Sequence, residues 1–297
     1  MGSGLNSGEC DVLRSVFKLN CPHPSGSPPA YSYYENGVGK GCWLAHTLLT
    51  VVEAFNLASE VGGSPLSSKV KPELLLAAAL LHDVGKLSKD YINRGGSYHN
   101  LISAIVSLNV LKRWPNEEGC VVAQAVLLHH ESRMWRVMFS RDKPLTFDCY
   151  SLVKKISKQI EMTDKYSSII DMLGNMLRSL KFLEEAKYVE TLNGLLDALR
   201  ELKFPLKLET DEEKTLCKAD LAPRSLPIYY LLQMADNRAA FARERSYWRF
   251  ALDGAAESFG DDIEEFTDGI IDTFKGDSRI FLTLTGAKPR ILQGALV

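Results

Sequence analysis

Histidine and aspartate side chains recur in segments whose other residues are apolar. The doublet His82-Asp83 follows the apolar run Leu74–Leu81 and is itself followed by Gly85. Imidazole and carboxylate groups are the donors that bind Mn, Fe, Co, Ni or Zn, and Mg where carboxylates dominate. The carbonyls left exposed at the end of a helix also favour a cation. The doublet therefore indicates a metal site, although alone it would also fit a buried histidine satisfied by its aspartate.

The other histidines favour the metal interpretation. Five of the six histidines fall in segments with the apolar periodicity of core helices: His46, His82, His99, His129 and His130. A buried imidazole must find partners or accept a desolvation cost, and five of them in one core are difficult to satisfy by chance. A shared metal centre would satisfy them together.

Two further charged residues belong to this pattern. Asp236 lies among apolar residues of a predicted helix, where a carboxylate stays ionised only beside positive charge. A metal ion would supply that charge, and the alternative is an ion pair with Arg238 or Arg243. Lys86 follows the helix-ending Gly85, so it would either cap the last carbonyls or reach a substrate phosphate.

The elements that must position these residues are predicted to be helices. Apolar residues at three- and four-residue steps predict one helix from Gly41, and further helices over Pro72–Val84, His99–Arg113, Glu117–Glu131 and about Ser225–Phe250. At least two amphipathic helices are expected over 150–203. The fold class is therefore all-α, with an irregular lead-in over 1–40, a main domain over 41–260 that carries a helical insertion at about 150–220, and a tail over 261–297.

Composition excludes some classes of protein. The longest apolar run, Leu74–Leu81, is far shorter than the roughly 20 residues of a membrane-spanning helix, so no membrane segment is expected. The N-terminal residues lack the basic flank and apolar core of a secretory signal, so a cytoplasmic location is expected. The six cysteines form no C-x-x-C pair, so reduced thiols are expected. A net charge of −2 means that any nucleic-acid binding depends on local basic residues.

The order of these residues along the chain resembles that of the HD-domain phosphohydrolases. The matching residues are His46, His82-Asp83, His99, His129-His130 and Asp236. The resemblance implies an HD-domain helical bundle with two divalent ions, of Mn, Ni, Co, Fe or Mg. One ion would be held by His46, His82, Asp83 and Asp236, and the other by Asp83, His99, His129 and His130. It also implies catalytic roles for Asp83 and Lys86 beside a metal-activated water.

Within that superfamily the sequence is most similar to the stand-alone HD nuclease of archaeal type I CRISPR interference. The similarity rests on Ala30-Tyr31-Ser32-Tyr33-Tyr34, Leu44-Ala45-His46 and Met234-Ala235-Asp236-Asn237. It implies cleavage of single-stranded DNA in antiviral defence, as an endonuclease, a 3'-5' exonuclease or both. The implied partners are a separate CRISPR helicase subunit and the RNA-guided Cascade surveillance complex. The long 150–220 segment and the acidic net charge depart from that pattern.

Basic and aromatic residues near the metal motifs are candidates for substrate contacts: Arg133, Trp135, Arg136 and Arg238. Arginines and an aromatic ring can hold a flexible strand and stack on its bases. The residues after His130, and Arg238 after Asp236, would also fit solvated helix faces.

Two other functions stay open. The first is an HD phosphohydrolase that acts on a nucleotide or cyclic dinucleotide. The HD-GYP phosphodiesterases share the H-D-x-G-K and H-H-E motifs, but no Gly-Tyr-Pro follows Glu131 here. The second is a helical adaptor without activity, in which metal only stabilises the fold.

Overall fold

The computed structural model describes seven stretches of the chain: 30–35, 38–60, 70–94, 98–129, 159–178, 186–207 and 210–244. In these stretches the α-helices are α1 (Trp43–Glu60), α2 (Pro72–Leu81), α3 (Lys89–Arg94), α4 (His99–Leu111), α5 (Glu118–Leu128), α6 (Tyr166–Arg178), α7 (Ala186–Glu201), α8 (Thr210–Leu216) and α9 (Ala222–Glu244). Two 3-10 helices span Val84–Leu87 and Ala219–Leu221. The described chain is thus mostly helical, which confirms the predicted all-α class.

Helix α2 is the centre of the fold. Pro72 stands in its first turn with Glu73, the arrangement that suits the unpaired amides of a helix start. Every residue from Leu74 to Leu81 is buried. The helix packs against α1, α4, α5, α7 and α9, so it has no solvent face. It ends at Leu81 rather than at the predicted Val84, because the chain tightens into the 3-10 helix that follows.

A β-hairpin precedes α1, where irregular chain was expected. Strands β1 (Tyr31–Glu35) and β2 (Val38–Cys42) pair antiparallel, with Tyr31 opposite Cys42 and Tyr33 opposite Lys40. The tyrosines of β1 suit a pleated strand, and the backbone amide of Trp43 donates to the Ala30 carbonyl at 3.0 Å. The expectation of an irregular lead-in is therefore wrong for these two strands. Residues 1–29 lie outside the described chain.

The predicted amphipathic helices over 150–203 are confirmed as α6 and α7. Tyr166 of α6 is buried, and its hydroxyl donates to the Leu199 carbonyl of α7 at 3.2 Å. The short strands β3 (Gln159–Ile160) and β4 (Leu206–Lys207) pair antiparallel beside these helices. The amide of Thr163 donates to the Leu87 carbonyl at 2.8 Å, so this segment is tied to the turn after α2.

Two further features bear on the sequence expectations. Cys217 is disulfide-bonded, whereas Cys120 is a free thiol. The expectation of reduced thiols is wrong for Cys217, because spacing along a chain does not reveal which cysteines the fold brings together. Among the described helices, none combines the length and apolar character needed to cross a lipid bilayer.

Candidate metal centre

The His-Asp doublet lies at the turn that leaves α2. His82 is the C-terminal cap of the helix, and Asp83 precedes the 3-10 helix with φ −113° and ψ 9°. The indole Nε1 of Trp43 donates to the backbone carbonyl of Asp83 at 2.8 Å. The first residue of α1 therefore fixes the backbone of the doublet, and the Asp83 carboxylate faces the other helices.

Gly85 brings this turn against α4. Its amide donates to Ser103 Oγ at 2.8 Å. A Cβ atom at Gly85 would lie 2.1 Å from the carbonyl oxygen of His99, closer than any side chain tolerates. Glycine is therefore required for the close approach that places Asp83 beside the start of α4.

The two carboxylate oxygens of Asp83 face different groups of histidines. Oδ2 lies 3.4 Å from His46 Nε2 and 3.3 Å from His82 Nε2. Oδ1 lies 3.5 Å from both His99 Nε2 and His129 Nε2. Asp83 is fully buried. One carboxylate thus joins two sets of imidazole nitrogens that come from α1, α4 and the ends of α2 and α5.

Asp236 completes the first of these groups from α9. Its Oδ1 lies 2.9 Å from His46 Nε2 and 3.7 Å from His82 Nε2. Burial raises the pKa of Asp236, but the hydrogen bond from His46 and the charges of His46 and His82 outweigh burial and hold that pKa well below its ordinary value. The carboxylate is therefore ionised and able to donate to a metal, even though Asp236 is buried with only 7% of its surface exposed.

Backbone carbonyls fix the orientation of two imidazole rings. His82 Nδ1 is 2.8 Å from the Ala79 carbonyl, and His129 Nδ1 is 2.5 Å from the Val126 carbonyl. A carbonyl only accepts hydrogen bonds, so Nδ1 of each ring carries the proton in the neutral form. The Nε2 lone pair then points at the carboxylates, which is the arrangement that metal-ligating histidines adopt.

These donors fit metal ions. Ligand atoms of His46, His82 and Asp83 all lie within 4.8 Å of one another, and so do those of Asp83, His99 and His129. His82 Nε2 is buried and makes no hydrogen bond to any described residue. A desolvated imidazole nitrogen among carboxylates is costly without a cation. Mixed imidazole and carboxylate donors suit the first-row transition metals.

The remaining predicted residues fall into two groups. The ligand His130 and the substrate contacts Arg133, Trp135 and Arg136 lie outside the described residues. Lys86 and Arg238 lie within them. Lys86 is buried, and its Nζ lies 2.6 Å from Asp83 Oδ2.

Arg238 points to a partner other than the one considered from the sequence. Its Nη1 donates to Glu53 Oε2 at 3.2 Å, and the Glu53 side chain is only 3% exposed. This ion pair joins α9 to α1 beside the contact between Asp236 and His46. Arg238 therefore has a structural partner, and its predicted contact with substrate stays a prediction.

Three residues that position the site were not identified from the sequence. They are Trp43, Ser103 and Glu53, which hold Asp83, Gly85 and Arg238 by the hydrogen bonds given above. Trp43 fits the apolar face of its helix, and its indole N–H is the signal that indicates a hydrogen-bonding role. Ser103 and Glu53 are polar residues in otherwise apolar helical segments, the same signal that identified Asp236.

The chain matches a known protein family. The model of the HD domain family matches residues 43–220, more than half of the chain. The match includes the helices that carry His46, His82-Asp83, His99 and His129, and it ends before Asp236. No curated protein matches the sequence.

Proposed function

Because this chain belongs to the HD domain family, whose members are metal-dependent hydrolases of phosphate esters, we propose that it cleaves phosphodiester bonds in single-stranded DNA. The observation that carries the proposal is the position of Asp83 between two sets of histidines. Two divalent ions that share a carboxylate suit an in-line displacement at phosphorus, because both the attacking and the leaving oxygen carry charge. Bound ions would supply Lewis acidity and a water of lowered pKa.

The residues of the chain have separate tasks in this proposal. His46, His82 and Asp236 would hold one ion with Asp83 Oδ2, and His99, His129 and His130 would hold the other with Asp83 Oδ1. The carbonyls of Ala79 and Val126 keep two of these rings in the metal-binding tautomer. The burial of the ligands excludes bulk water from their far side, which strengthens the electrostatic interactions within the site.

Sequence features near the site support a DNA strand as substrate. The hairpin that carries Tyr31 and Tyr33 runs directly into the helix of His46, as in the sequence pattern of the CRISPR HD nucleases. Arg133, Trp135 and Arg136 follow the His129-His130 pair in the sequence, and we propose that they contact the strand. We accordingly propose endonuclease or 3'-5' exonuclease activity in antiviral defence. The proposed partners are a separate CRISPR helicase and the RNA-guided Cascade complex in the cytoplasm.

The alternative function is hydrolysis of a nucleotide or cyclic dinucleotide at the same ions. The H-H-E motif at His129 favours it, and the missing Gly-Tyr-Pro disfavours the cyclic-dinucleotide branch. A substrate panel separates the two. Metal-stripped protein receives Mn, Mg, Ni, Co or Zn, and then single-stranded DNA, duplex DNA, RNA, dNTPs or cyclic dinucleotides. We expect single-stranded DNA to be cleaved fastest.

A charge-neutralising variant tests the proposed path of the strand. Arg133→Gln with Arg136→Gln should raise KM for DNA and reduce the salt dependence by roughly two phosphate contacts, at about 0.7 each on a single strand. The bound metal should not change. The matched control is Lys112→Gln with Arg113→Gln, two exposed residues beyond the far end of α4 from His99. The nuclease assignment fails if the first variant cleaves DNA normally at every salt concentration and the wild type prefers a dNTP or cyclic dinucleotide.

A further inference from the structure

Lys86 is a buried cation on the carboxylate that the ions would share. The residue is 5% exposed, and its Nζ donates to Asp83 Oδ2 at 2.6 Å. A lysine is almost never this buried unless it is paired. The same Oδ2 faces His46 and His82, so the ammonium lies at the edge of the position where the first ion would bind.

Backbone contacts hold Lys86 in this place. Its amide donates to the Asp83 carbonyl at 3.0 Å, within the 3-10 helix that Gly85 presses against α4. The Lys86 backbone therefore stands one turn from the carboxylate, within reach of the side chain. The proximity of the ammonium to Oδ2 is a property of the backbone as well as of the side chain.

The charges of the centre explain why a cation is needed there. Asp83 and Asp236 are both buried and both contact His46. Two desolvated carboxylates in one pocket repel each other and lose their hydration, which destabilises the folded chain unless positive charge is supplied. A bound divalent ion would supply it, and so does the Lys86 ammonium.

We propose that Lys86 is a built-in counter-cation, which replaces the ion on Asp83 Oδ2 in the metal-free protein and weakens metal binding at the position formed by His46, His82 and Asp236. This inference rests on the proposed metal centre and goes beyond it. An ion on Oδ2 and the ammonium are like charges that share one oxygen, so binding of the ion works against the lysine. The ammonium thus stabilises the metal-free fold and limits the affinity of the metal-bound one.

Two effects of opposite sign distinguish this role from others. Removing the charge should tighten metal binding, and it should also lower the stability of the metal-free protein. A lysine that only caps carbonyls would change stability and leave the metal affinity unaltered. A lysine that only contacts a substrate phosphate would change neither quantity when substrate is absent.

The experiment compares the wild type with Lys86→Met, which keeps the length and removes the charge. Mn²⁺ is titrated into chelator-treated protein by calorimetry, and thermal unfolding is followed with and without Mn²⁺. We expect Lys86→Met to bind Mn²⁺ at least about tenfold more tightly. We also expect a lower Tm without metal and a larger rise of Tm on adding it. Lys89→Met is the matched control, because Lys89 pairs with Glu161 on the surface.

Second variants locate the effect and guard against misfolding. Lys86→Gln keeps a hydrogen-bond donor for Asp83, and it should also bind Mn²⁺ more tightly than the wild type. The tightening should persist when His99 is replaced by alanine and disappear when His46 is replaced.

The outcomes separate this inference from the proposed metal centre. Equal Mn²⁺ affinity in the wild type, Lys86→Met and Lys86→Gln would overturn the role of Lys86 and leave the metal centre standing. A wild type that binds no Mn²⁺ would overturn both, because an ammonium cannot oppose an ion that the protein does not take up. Tightening that is abolished by loss of His99 rather than of His46 would also overturn the assignment to Oδ2.

Discussion

Replacing Asp83 with asparagine keeps the shape of the side chain and removes the charge that joins the two sets of histidines. Ligand atoms of Asp83 belong to both possible metal positions. The amide supplies one neutral oxygen in place of two anionic ones, so the first position keeps only Asp236 as an anion. We expect Asp83→Asn to lose bound metal at both positions and to lose hydrolysis with it.

The structure sets the size of both effects. If the ions supply several kcal/mol of transition-state stabilisation, the rate should fall at least ~10³-fold, or about 4 kcal/mol of barrier. The substitution also leaves the Lys86 ammonium buried without the carboxylate that now lies 2.6 Å away. Breaking a buried pair by removing one partner typically costs about 3–5 kcal/mol of stability. Inactivity could therefore come from unfolding instead of from metal loss.

The double variant Asp83→Asn with Lys86→Met separates these causes. It removes the orphaned ammonium together with the carboxylate, so it should recover much of the lost stability. It should recover neither metal nor turnover. Urea unfolding measures the stability, elemental analysis measures the metal, and cleavage of a labelled single-stranded oligonucleotide in Mn²⁺ measures the turnover.

Two results would refute the reasoning about Asp83. The first is near-normal turnover in a well-folded Asp83→Asn protein, which would remove the carboxylate from the mechanism. The second is recovery of turnover in the double variant, which would mean that the single variant failed because of its unpaired lysine.

Three further substitutions test the surroundings of the site. Gly85→Ala should destabilise the protein by about 3 kcal/mol or more, because the added Cβ would meet a backbone oxygen at 2.1 Å. The control Gly194→Ala has open space around its Cβ and should stabilise the protein by about 0.5–1 kcal/mol. Urea unfolding measures both changes. Arg238→Met should lower stability by about 1–2 kcal/mol, since it removes the arginine from the buried Glu53 carboxylate and leaves that carboxylate the neutral amide of Asn56 as a donor. Unchanged stability with a raised KM would instead support the predicted substrate contact. The low pKa of Asp236 stabilises the metal-free fold at pH values above 3.8, and this contribution is lost as the pH falls below 3.8. Asp236→Asn should therefore lower Tm at pH 5, and the difference should shrink in stronger acid.

The cluster of histidines and aspartates could be predicted because its signal is local. A histidine or aspartate in an apolar helical pattern must be buried, and burial forces it to find a charged or polar partner. That argument identified His46, His82, His99, His129 and Asp236 as a group. It required only the helical period and the residue types, both of which can be read along the chain.

The hairpin before α1 had a local signal too, and the composition of the lead-in concealed it. Asn36-Gly37, the dipeptide that two-residue hairpin connections favour, separates the sequences of β1 and β2. The interval from Gly37 to Gly41 contains three glycines, and glycine interrupts regular structure, so the interval resembles a loop. The tyrosines at alternate positions of β1 favour a strand more strongly than the glycines disfavour it, because the side chains on one face of paired strands contact each other.

The partner of Arg238 could not be predicted, because it depends on a contact between distant elements. Arg238 and Glu53 are 185 residues apart, and only the packing of α9 on α1 brings them together. The pairing of Lys86 with Asp83 is different, because residues three apart in a helix are neighbours and can form an ion pair. That pairing could have been predicted from the sequence, whereas the burial of both groups depends on the packing around α2.

The difference between Asp83 and Asp236 also follows from where α2 ends. Asp236 lies inside α9, and its contacts with His46 and His82 both run through Oδ1. Asp83 lies just beyond a helix end, where the chain turns between α2 and α4, so its two oxygens can face different helices. The Asp83 carboxylate could therefore be shared by two ions, whereas the Asp236 carboxylate faces only the group formed by His46 and His82. The sequence contains part of the reason, since Gly85, two residues after Asp83, permits the turn. The close contact of Gly85 with α4 is what brings His99 beside the Asp83 carboxylate.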